Sequence, residues 1–591
     1  MKQNRIIRNT FYSQLLAFVL SSLASAVGTI IDGVVIGQCL GADSIAAFGI
    51  VSPLMIVFAL GGAVVSTGAR NRFARLVGSG ELERAQGVFS LACVMAVGIG
   101  VLMLAVCLPL AAPIARMLGA TGKAAHLLGK AKDYLVGVAI GLPAMNAMRI
   151  LWAFMPIDND KNLPIVTSAA LTLSDVALDL LAAFVFHGDT FEMGLATSIS
   201  YYVAVGVLMT HFRKKHILLK LCFRRLPWRE SWDIVKQGLP VGAARLGNTV
   251  RSAFMNQLLA AIASSAAIAA YSVHRQADIF LNPIVFGVAD TVAVLAGVLA
   301  GEENRPAMKR LLGNMVMANL TLSLGAAALT WVFAPQFAGL YITDQPEALS
   351  LSVRAVRCYA LGMPLYGLSM GFINYTQGIG KNRLSSLSGI LSEAGFLILS
   401  AAVLSRRFGA DAVWYAFPVT QLLMLLYHGA VVLVLNRKPE LREMPLSDRI
   451  LLLPRDFDAA DGDRLDRSIT TAQEVVALSQ EVWAFCEAHG CDRRRRYLMA
   501  LSVEEMAGNV VEHGFTKDKK PHSIDVRILK KGDEYIVRIR DDCVFFDPLQ
   551  RLQLYSDRDP AHHMGLRMII GTAKELRYTC ILRLNNLVVR I

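Results

Sequence analysis

Long apolar stretches separated by short polar loops fill roughly the first 437 residues of the chain. Each stretch is long enough to cross about 30 Å of hydrocarbon as a helix. Their approximate ranges are 11–37, 44–69, 87–113, 133–154, 164–187, 191–211, 238–261, 272–299, 311–335, 357–377, 384–404 and 412–436. This pattern predicts a polytopic α-helical membrane protein with twelve transmembrane helices.

The pattern changes near Leu465 to the shorter periods of a water-soluble α/β domain. It predicts amphipathic helices over 469–487, over 494–513 and after Gly565, and strands over 524–529, 535–540, 578–584 and 587–591. These elements suit an α/β sandwich. We therefore expect a membrane part over 1–437, a linker over 438–464 and a soluble domain over 465–591.

Composition supports this division between two solvents. Hydrophobic residues make up 54% of the chain and the mean hydropathy is +0.47, which excludes an ordinary soluble protein. Residues 440–591 hold 24 Lys and Arg against 25 Asp and Glu, whereas residues 1–439 hold 35 against 21. The basic residues of the first part sit in short clusters between apolar runs, so we expect no nucleic-acid partner.

The basic clusters also predict the topology. With the N-terminus in the cytoplasm, the internal loops contain the clusters 70–75, 213–236, 305–310 and 381–383. The external loops 37–43, 187–190 and 260–266 contain no Lys or Arg, as the positive-inside rule requires, whereas 116–132 and 344–357 break the pattern. We therefore expect a multi-pass protein of the plasma membrane with both termini in the cytoplasm.

An internal repeat relates the two halves of the membrane part. The segment Ile45–Ile50 matches Ile268–Val273 at an offset of 223 residues, and the same offset carries Gly78 onto Gly301. Six helices separate the copies, which keeps them in the same orientation. We expect two parallel six-helix lobes, over about 10–212 and 234–437, that face each other across a central cavity.

Paired motifs in each half of lobe one carry a family resemblance. The motif residues are Asp32, Gly33, Gly37, Ala46-Ala47 and Pro53 in the first two helices, then Asp175, Asp179, Gly194 and Ala196-Thr197 in the fifth and sixth. This arrangement resembles the multidrug and toxic compound extrusion (MATE) family, with Asp175 in place of the usual Asn. The resemblance covers about residues 10–437 and implies a secondary transporter.

Ionisable groups inside apolar helices are costly, so they usually line a polar path or a coupling-ion site. Asp175 and Asp179 are four residues apart and lie on one helical face. If Asp32 faces them, the three carboxylates share a low-dielectric cavity that suits H⁺ or Na⁺. The resemblance implies that these residues and Thr197 form the ion- and substrate-binding network. A capping role at a helix end is the alternative for Asp32.

The second half departs from this chemistry. The repeat places Met255 at the position of Asp32, and the seventh helix carries Arg245 and Arg251 instead. An intramembrane arginine needs a partner or an aqueous cavity. Either these arginines pair with carboxylates, for which Asp278, Asp290 and Glu393 are candidates, or they receive an acidic group of the substrate.

The soluble domain contains a helix, 501–514, in which Glu505, Asn509 and His513 fall on one face. Asp541 follows a predicted strand, and Gly565 opens the last helix. These segments resemble the nucleotide-binding motifs of GHKL (histidine kinase-like) ATPases, in particular the anti-sigma-factor serine kinases.

That resemblance implies roles for the five residues of the soluble domain. Glu505 would be the general base and Asn509 would hold Mg²⁺. Asp541 would read the adenine, and His513 and Gly565 would complete the nucleotide site. Three glycines of the family motifs are replaced, by Cys543, Phe545 and His563. Since glycines there let the backbone approach the nucleotide, their loss disfavours ATP hydrolysis.

These features predict an antiporter in the lipid bilayer that exports small organic compounds, cationic or amphipathic, in exchange for H⁺ or Na⁺. Its C-terminal domain would be regulatory, binding Mg-ATP or docking a regulatory protein. One alternative is a membrane-anchored signalling serine kinase. Another is a flippase for lipid-linked precursors, which fits the two arginines better than the aspartates. The sequence leaves open whether the domain is an active enzyme.

Overall fold

The computed structural model describes residues 5–591 except 119, 186–188, 215–216, 224–225, 263–264, 343–344, 438–442, 518–520 and 546–563. Side chains are also outside the description over 25–46 and at 48–49, 52–53, 56, 122–124, 183, 260, 262, 265, 564 and 566.

The membrane part is helical throughout. Its helices are α1 Arg5–Ser79, α2 Leu82–Met117, α3 Leu128–Ala139, α4 Leu142–Phe154, α5 Leu163–Phe184, α6 Thr190–Met209, α7 Glu230–Ile262, α8 Ser265–Gly301, α9 Arg305–Gly339, α10 Pro346–Gly378, α11 Asn382–Ile390, α12 Phe396–Phe408 and α13 Ala416–Leu435. A wider helical turn, Leu391–Gly395, joins α11 to α12. Each apolar stretch identified in the sequence overlaps one or two of these helices.

Helix α1 covers two of the predicted spans and cannot be straight. Val19 packs against Gly287 of α8, while Arg75 packs against Gly301 of the same helix. In a straight helix, Val19 and Arg75 would lie about 84 Å apart, whereas their two contacts on α8 are separated by only about 21 Å. The chain therefore turns back between Val19 and Arg75, and its two arms both pack against α8.

Seven helices among the described residues are long and apolar enough to cross a bilayer. Helices α3 and α4, with the turn before α3, count as an eighth span if they form one crossing bent by 46°. Helices α1, α7 and α10 are not among these seven. The count of twelve crossings stays a prediction.

Contacts between the lobes follow the internal repeat. Gly78 and Gly301, which the offset of 223 residues relates, touch each other: a Cβ added to Gly78 would lie 3.1 Å from Cα of Gly301. Within the lobes, Gly137 packs on Gly194 and Gly362 packs on Phe417. The pseudo-twofold axis therefore passes near Gly78 and Gly301, where the backbones of α1 and α8 meet.

The C-terminal domain is one antiparallel sheet with helices on one face. Its elements are β1 Arg464–Ile469, α15 Ala472–Ala488, α16 Arg493–Asn509, β2 Ile524–Lys531, β3 Glu534–Asp541, α17 Met564–Thr572, β4 Glu575–Ile581 and β5 Leu584–Arg590. A short helix, α14 Leu446–Arg449, precedes them. The strand order is β1-β2-β3-β5-β4.

Two expectations for this domain need correction. Strand β1 does not appear among the strands predicted from the sequence, because the segment is short and carries charges that pair across the sheet. The tight turn of the last hairpin lies at Leu582-Arg583, with Ile581 opposite Leu584, and not at Asn585-Asn586 as the predicted strand ends imply. Asn585 is held within the sheet by a hydrogen bond to Asp541.

Both faces of the sheet are covered. Alternate residues such as Val526, Val537 and Val589 pack into a core with α15, α16 and α17. The opposite face carries Arg527, Arg538 and Arg540. Arg538 and Arg540 contact Glu302 of the membrane part, and Arg527 contacts Asp458 of the segment before β1. We call the end of the lobes that this face covers the docked end.

Candidate functional site

The acidic residues of lobe one are brought together inside that lobe. Asp175 and Asp179 are both buried on α5, which packs against α6. Asp175 lies next to the hydroxyl groups of Ser200 and Thr197, both on α6. Among the described residues, no hydrogen-bond partner reaches Oδ1 of Asp175. The predicted grouping of Asp175 with Thr197 is therefore present, whereas the side chain of Asp32 lies outside the described residues.

The two arginines of α7 have different surroundings. Arg251 is buried and forms ion pairs with Asp278 and Glu393, at 3.4 Å each. Tyr359 donates a hydrogen bond to Asp278 at 3.0 Å, and Tyr366 donates one to Glu393 at 3.1 Å. Arg251 is thus part of a closed polar network inside lobe two, as the structural alternative in the sequence analysis anticipated.

Arg245 lies instead at the boundary between the lobes. Its side chain is exposed, and the charges of Arg149 on α4 and Asp290 on α8 act on it. Asp290 accepts a hydrogen bond from Arg70 of α1 at 2.6 Å, and this ion pair connects the lobes. Asp290, which the sequence offers as a candidate partner of the α7 arginines, is therefore paired with Arg70. Neither Arg70 nor Arg149 was singled out as a site residue in the sequence.

The nucleotide motifs of the soluble domain converge on one end of α16. Glu505 packs against Gly565, where an added side chain would overlap its carboxylate. Asn509 donates a hydrogen bond to the carbonyl of Glu505 at 2.6 Å, and His513 is exposed one turn further on. The structure thus places Gly565 directly over the proposed base, Glu505.

Asp541 ends β3 and is buried beside this group. Its Oδ1 accepts hydrogen bonds from Asn585 at 2.7 Å and from the backbone N–H of Cys543 at 2.9 Å. Burial raises the pKa of Asp541, although these hydrogen bonds act in the opposite direction. Cys543 in turn lies 3.2 Å from the Cβ position of Gly514. The cysteine that replaces a motif glycine is thus packed against Gly514, at the end of the helical segment that carries Glu505 and Asn509.

One buried carboxylate of lobe two contacts the soluble domain. Glu302, in the loop between α8 and α9, forms ion pairs with Arg540 and, at 3.5 Å, with Arg538. Burial by itself would raise the pKa of Glu302, but the two guanidinium groups outweigh it and the pKa is lowered. Glu303 pairs with Lys531 on the surface next to it.

The same domain contacts lobe one through the tip of its last hairpin. The N–H of Leu582 donates to the carbonyl of Ile157, in the loop between α4 and α5, at 3.1 Å. The side chain of Asn159 donates to the carbonyl of Cys580 at 3.1 Å and accepts from the N–H of Arg583. Leu582 is 4% exposed and belongs to the same apolar core as Ile157.

The geometry of this tip is unusual for its residues. Leu582 and Arg583 have φ values of 55° and 62°. Two-residue hairpin turns with positive φ normally use Asn or Gly, because side chains with a Cβ are strained there. The contacts with lobe one offset that strain. Backbone strain of this kind is a reason to look for a functional role.

A third contact joins the domain to the end of α1. Arg577 of β4 donates to the carbonyl of Ser79 at 3.4 Å. Its guanidinium occupies the space that a side chain at Gly80 would need, and Gly80 has φ of 87°. Charge and apolar patterns along the sequence contain no signal for any of these interlobe and interdomain contacts.

The segment before β1 is attached to lobe two. Asp448 accepts a hydrogen bond from Lys309 at 2.7 Å, and Tyr375 donates to the carbonyl of Leu451 at 2.9 Å. Asp458 accepts from the N–H of Arg305 at 3.1 Å and pairs with Arg527 of β2. The soluble domain is thus tied to lobe two along its whole approach.

Comparison with known proteins agrees with these two parts. Residues 17–181 and 240–399 match the MatE family model, and residues 470–589 match the histidine kinase-like ATPase domain. The multidrug export protein MepA of Staphylococcus haemolyticus is 21% identical over 408 residues, which cover 69% of this chain and 89% of that protein.

Two solved structures show the fold of the membrane part. An outward-facing multidrug resistance MATE family transporter of the MOP superfamily has a TM-score of 0.67 at 18% identity. The match covers 72% of this chain and 96% of that transporter's chain. A MOP superfamily transporter from Pyrococcus furiosus, described as having a binding pocket of reverse polarity, has a TM-score of 0.66 at 18% identity and covers 75% and 99%. With a family match over more than half of its residues and in both lobes, the chain belongs to the MatE family and carries a histidine kinase-like ATPase domain at its C-terminal end.

Proposed function

We propose that this protein is a secondary antiporter that exports small organic compounds in exchange for H⁺ or Na⁺, and that its C-terminal domain regulates export from the cytoplasm. Multidrug exporters among its relatives support the export direction. The lobes meet at the docked end, through Gly78 and Gly301, and this end is cytoplasmic in our proposal. The state described here is then open toward the outside.

The observation that carries the ion coupling is the buried pair of carboxylates in lobe one. Asp175 and Asp179 are 7% and 3% exposed, inside a helix pair at membrane depth. A buried carboxylate is stable only if it is neutralised by a proton or a cation, or is fully hydrogen bonded. Loading and release of H⁺ or Na⁺ at this pair would couple the ion gradient to movement of the lobes.

Flux in proteoliposomes under an imposed pH or Na⁺ gradient tests the coupling. We expect export by the wild-type protein to follow one of the two gradients, and Asp179→Asn to remove the dependence. Asp411→Asn is the matched control, because Asp411 forms a surface ion pair and its side chain is 71% exposed. Export that ignores both gradients would contradict the antiporter proposal.

The regulatory proposal rests on the docking of the soluble domain on both lobes. Alternating access requires the closed end to open as the lobes rock apart. The domain is tied to lobe two by Glu302 and by the segment before β1, and to lobe one by the hairpin tip and Arg577. These contacts span the line along which the lobes must separate. The docked domain therefore acts as a clamp that holds the cytoplasmic end closed.

Nucleotide binding would be the signal that controls this clamp. The hairpin strand β5 carries Asn585, which holds Asp541 of the nucleotide motifs, three residues from the turn that contacts lobe one. A ligand bound at Asp541 would therefore be linked, through Asn585 of β5, to the turn that contacts lobe one. Mg-ATP binding to the full-length protein, before and after Asn509→Ala, tests this step. Absence of binding would leave a docking module without a nucleotide.

A further inference from the structure

The boundary between the lobes changes from closed to open part-way along α7. Gly238 and Gly242 of α7 pack against α1, where an added Cβ at Gly242 would lie 3.0 Å from Val64. The next residues on that face of α7, Arg245 and Thr249, are exposed. On the facing side of α1, Val57 is 53% exposed. The lobes therefore separate beyond Gly242 and form a cleft, with Arg245 at its floor.

The floor of this cleft is well inside the membrane. Arg245 lies about 22 Å along α7 from Glu230, and Glu230 forms ion pairs with Arg72 and Arg84 near the docked end. An arginine at such a depth requires water or a partner of opposite charge. Arg245 is exposed and has a charged neighbour in each lobe, Arg149 in lobe one and Asp290 in lobe two, which is the environment of a water-filled cleft.

The charges at this floor are mainly positive. Arg245 comes from lobe two and Arg149 from lobe one, where the Arg149 side chain lies against Gly62. The third arginine, Arg70, is paired with Asp290 at 2.6 Å. Three guanidinium groups therefore face one carboxylate, and that carboxylate is already engaged by Arg70.

The described acidic groups at similar depth do not balance this charge. Asp175 and Asp179 are buried between α5 and α6, inside lobe one. Asp278 and Glu393 are neutralised by Arg251, inside lobe two. Each of these two carboxylate pairs is thus enclosed within one lobe, whereas Arg149 and Arg245 lie between the lobes.

We propose that the compound transported through this cleft carries a negative group, such as a carboxylate, sulfonate or phosphate, which binds to Arg245 and Arg149. The inference rests on the proposed export function and replaces the cationic substrate expected from the sequence. Guanidinium groups bind such oxyanions through paired, charge-assisted hydrogen bonds. A cation at the same place would be repelled by the like charges of both arginines.

Attachment to one arginine from each lobe also suits the transport cycle. A compound held by Arg149 and Arg245 contacts both lobes at once, so its binding depends on how far apart the lobes are. Asp290 lies next to this pair and would compete with the substrate for the arginines. It would thus favour release once the lobes move and the distance between Arg149 and Arg245 changes.

Two fluorescent dyes of opposite charge test the proposal in proteoliposomes: a carboxyfluorescein-type organic anion and an ethidium-type organic cation. We expect the wild-type protein to move the anion and to exclude the cation. Arg245→Gln should weaken anion binding about tenfold to a hundredfold, the range for loss of one charged hydrogen-bonding partner. Arg245→Lys should retain part of the affinity, because it keeps the charge.

Binding of the anionic dye to the purified full-length protein, followed by fluorescence anisotropy, separates recognition from transport. Arg354→Gln is the control, since Arg354 pairs with Asp411 on the surface and is 50% exposed. Transport of the cation with an unchanged rate in Arg245→Gln would overturn the inference and leave the export function standing. Movement of neither dye, together with gradient-driven export of a neutral amphipathic compound, would overturn it as well. Failure to export any compound would refute the export function itself.

Discussion

The clamp proposal makes a sharp prediction at Asn159, the residue of lobe one that holds the hairpin tip. Asn159 has φ of 66°, a conformation that Gly adopts freely and Ala does not. Asn159→Gly therefore removes the side chain and leaves the backbone of the loop unstrained. The two hydrogen bonds to Cys580 and Arg583 are lost, while the bond from Leu582 to Ile157 remains.

The size of the effect follows from the lost hydrogen bonds. Each contributes about 0.5–1.5 kcal/mol net, so docking on lobe one should weaken by about 1–3 kcal/mol. Every 1.4 kcal/mol is a factor of ten, so the undocked fraction should rise about fivefold to 150-fold. If the clamp holds the cytoplasmic end closed, this change should also increase the rate of export.

Hydrogen exchange of the last hairpin in the full-length protein measures docking directly. We expect faster exchange of the Leu582 amide in Asn159→Gly, together with faster flux in proteoliposomes. Asn162→Gly is the matched control, because Asn162 lies in the same loop, is exposed and makes no capping hydrogen bond. Equal exchange and equal flux in the two variants would refute the proposed clamp contact.

Four further predictions concern the same closed end. Glu302→Gln should weaken docking on lobe two by about 2–5 kcal/mol, the cost of breaking a buried charge pair, whereas Glu303→Gln should cost at most about 1 kcal/mol; both are measured by hydrogen exchange of β3. Docking lowers the pKa of Glu302. The contribution of Glu302 to docking should therefore be complete above its pKa in the undocked state and should disappear as the pH falls through its pKa in the docked state. An acid titration of docking should show this loss in the wild-type protein and not in Glu302→Gln. Gly301→Val should prevent α1 and α8 from meeting and shift the lobes away from the state described here. Gly313→Val should cause no such shift, because the site has open space around it. Double electron–electron resonance between labels on the two lobes would detect the difference. Leu582→Asn should relieve the turn, which tolerates Asn, but remove about 1.5–3 kcal/mol of apolar burial, so its hairpin should undock more readily without unfolding, as seen in hydrogen exchange.

The sequence by itself determined the features that depend on local pattern. Apolar length predicts the helices, and the offset of 223 residues predicts that Gly78 and Gly301 are equivalent. The spacing of Asp175 and Asp179 on one helical face follows from the helical repeat alone. The change of pattern near Leu465 separates the membrane part from the soluble domain, because helices in lipid need long apolar runs whereas a water-soluble domain alternates apolar and polar positions.

Only the tertiary structure decided which charges meet. Arg245 and Arg251 are six residues apart on one helix and look alike in the sequence, yet one lies in the cleft and the other in a closed network of lobe two. The position of the last hairpin turn was also wrong from the sequence, because contacts with lobe one stabilise positive φ at Leu582 and Arg583. Such outcomes depend on groups far apart in the chain, since ion pairing, burial and docking are set by neighbours in space that no local pattern encodes.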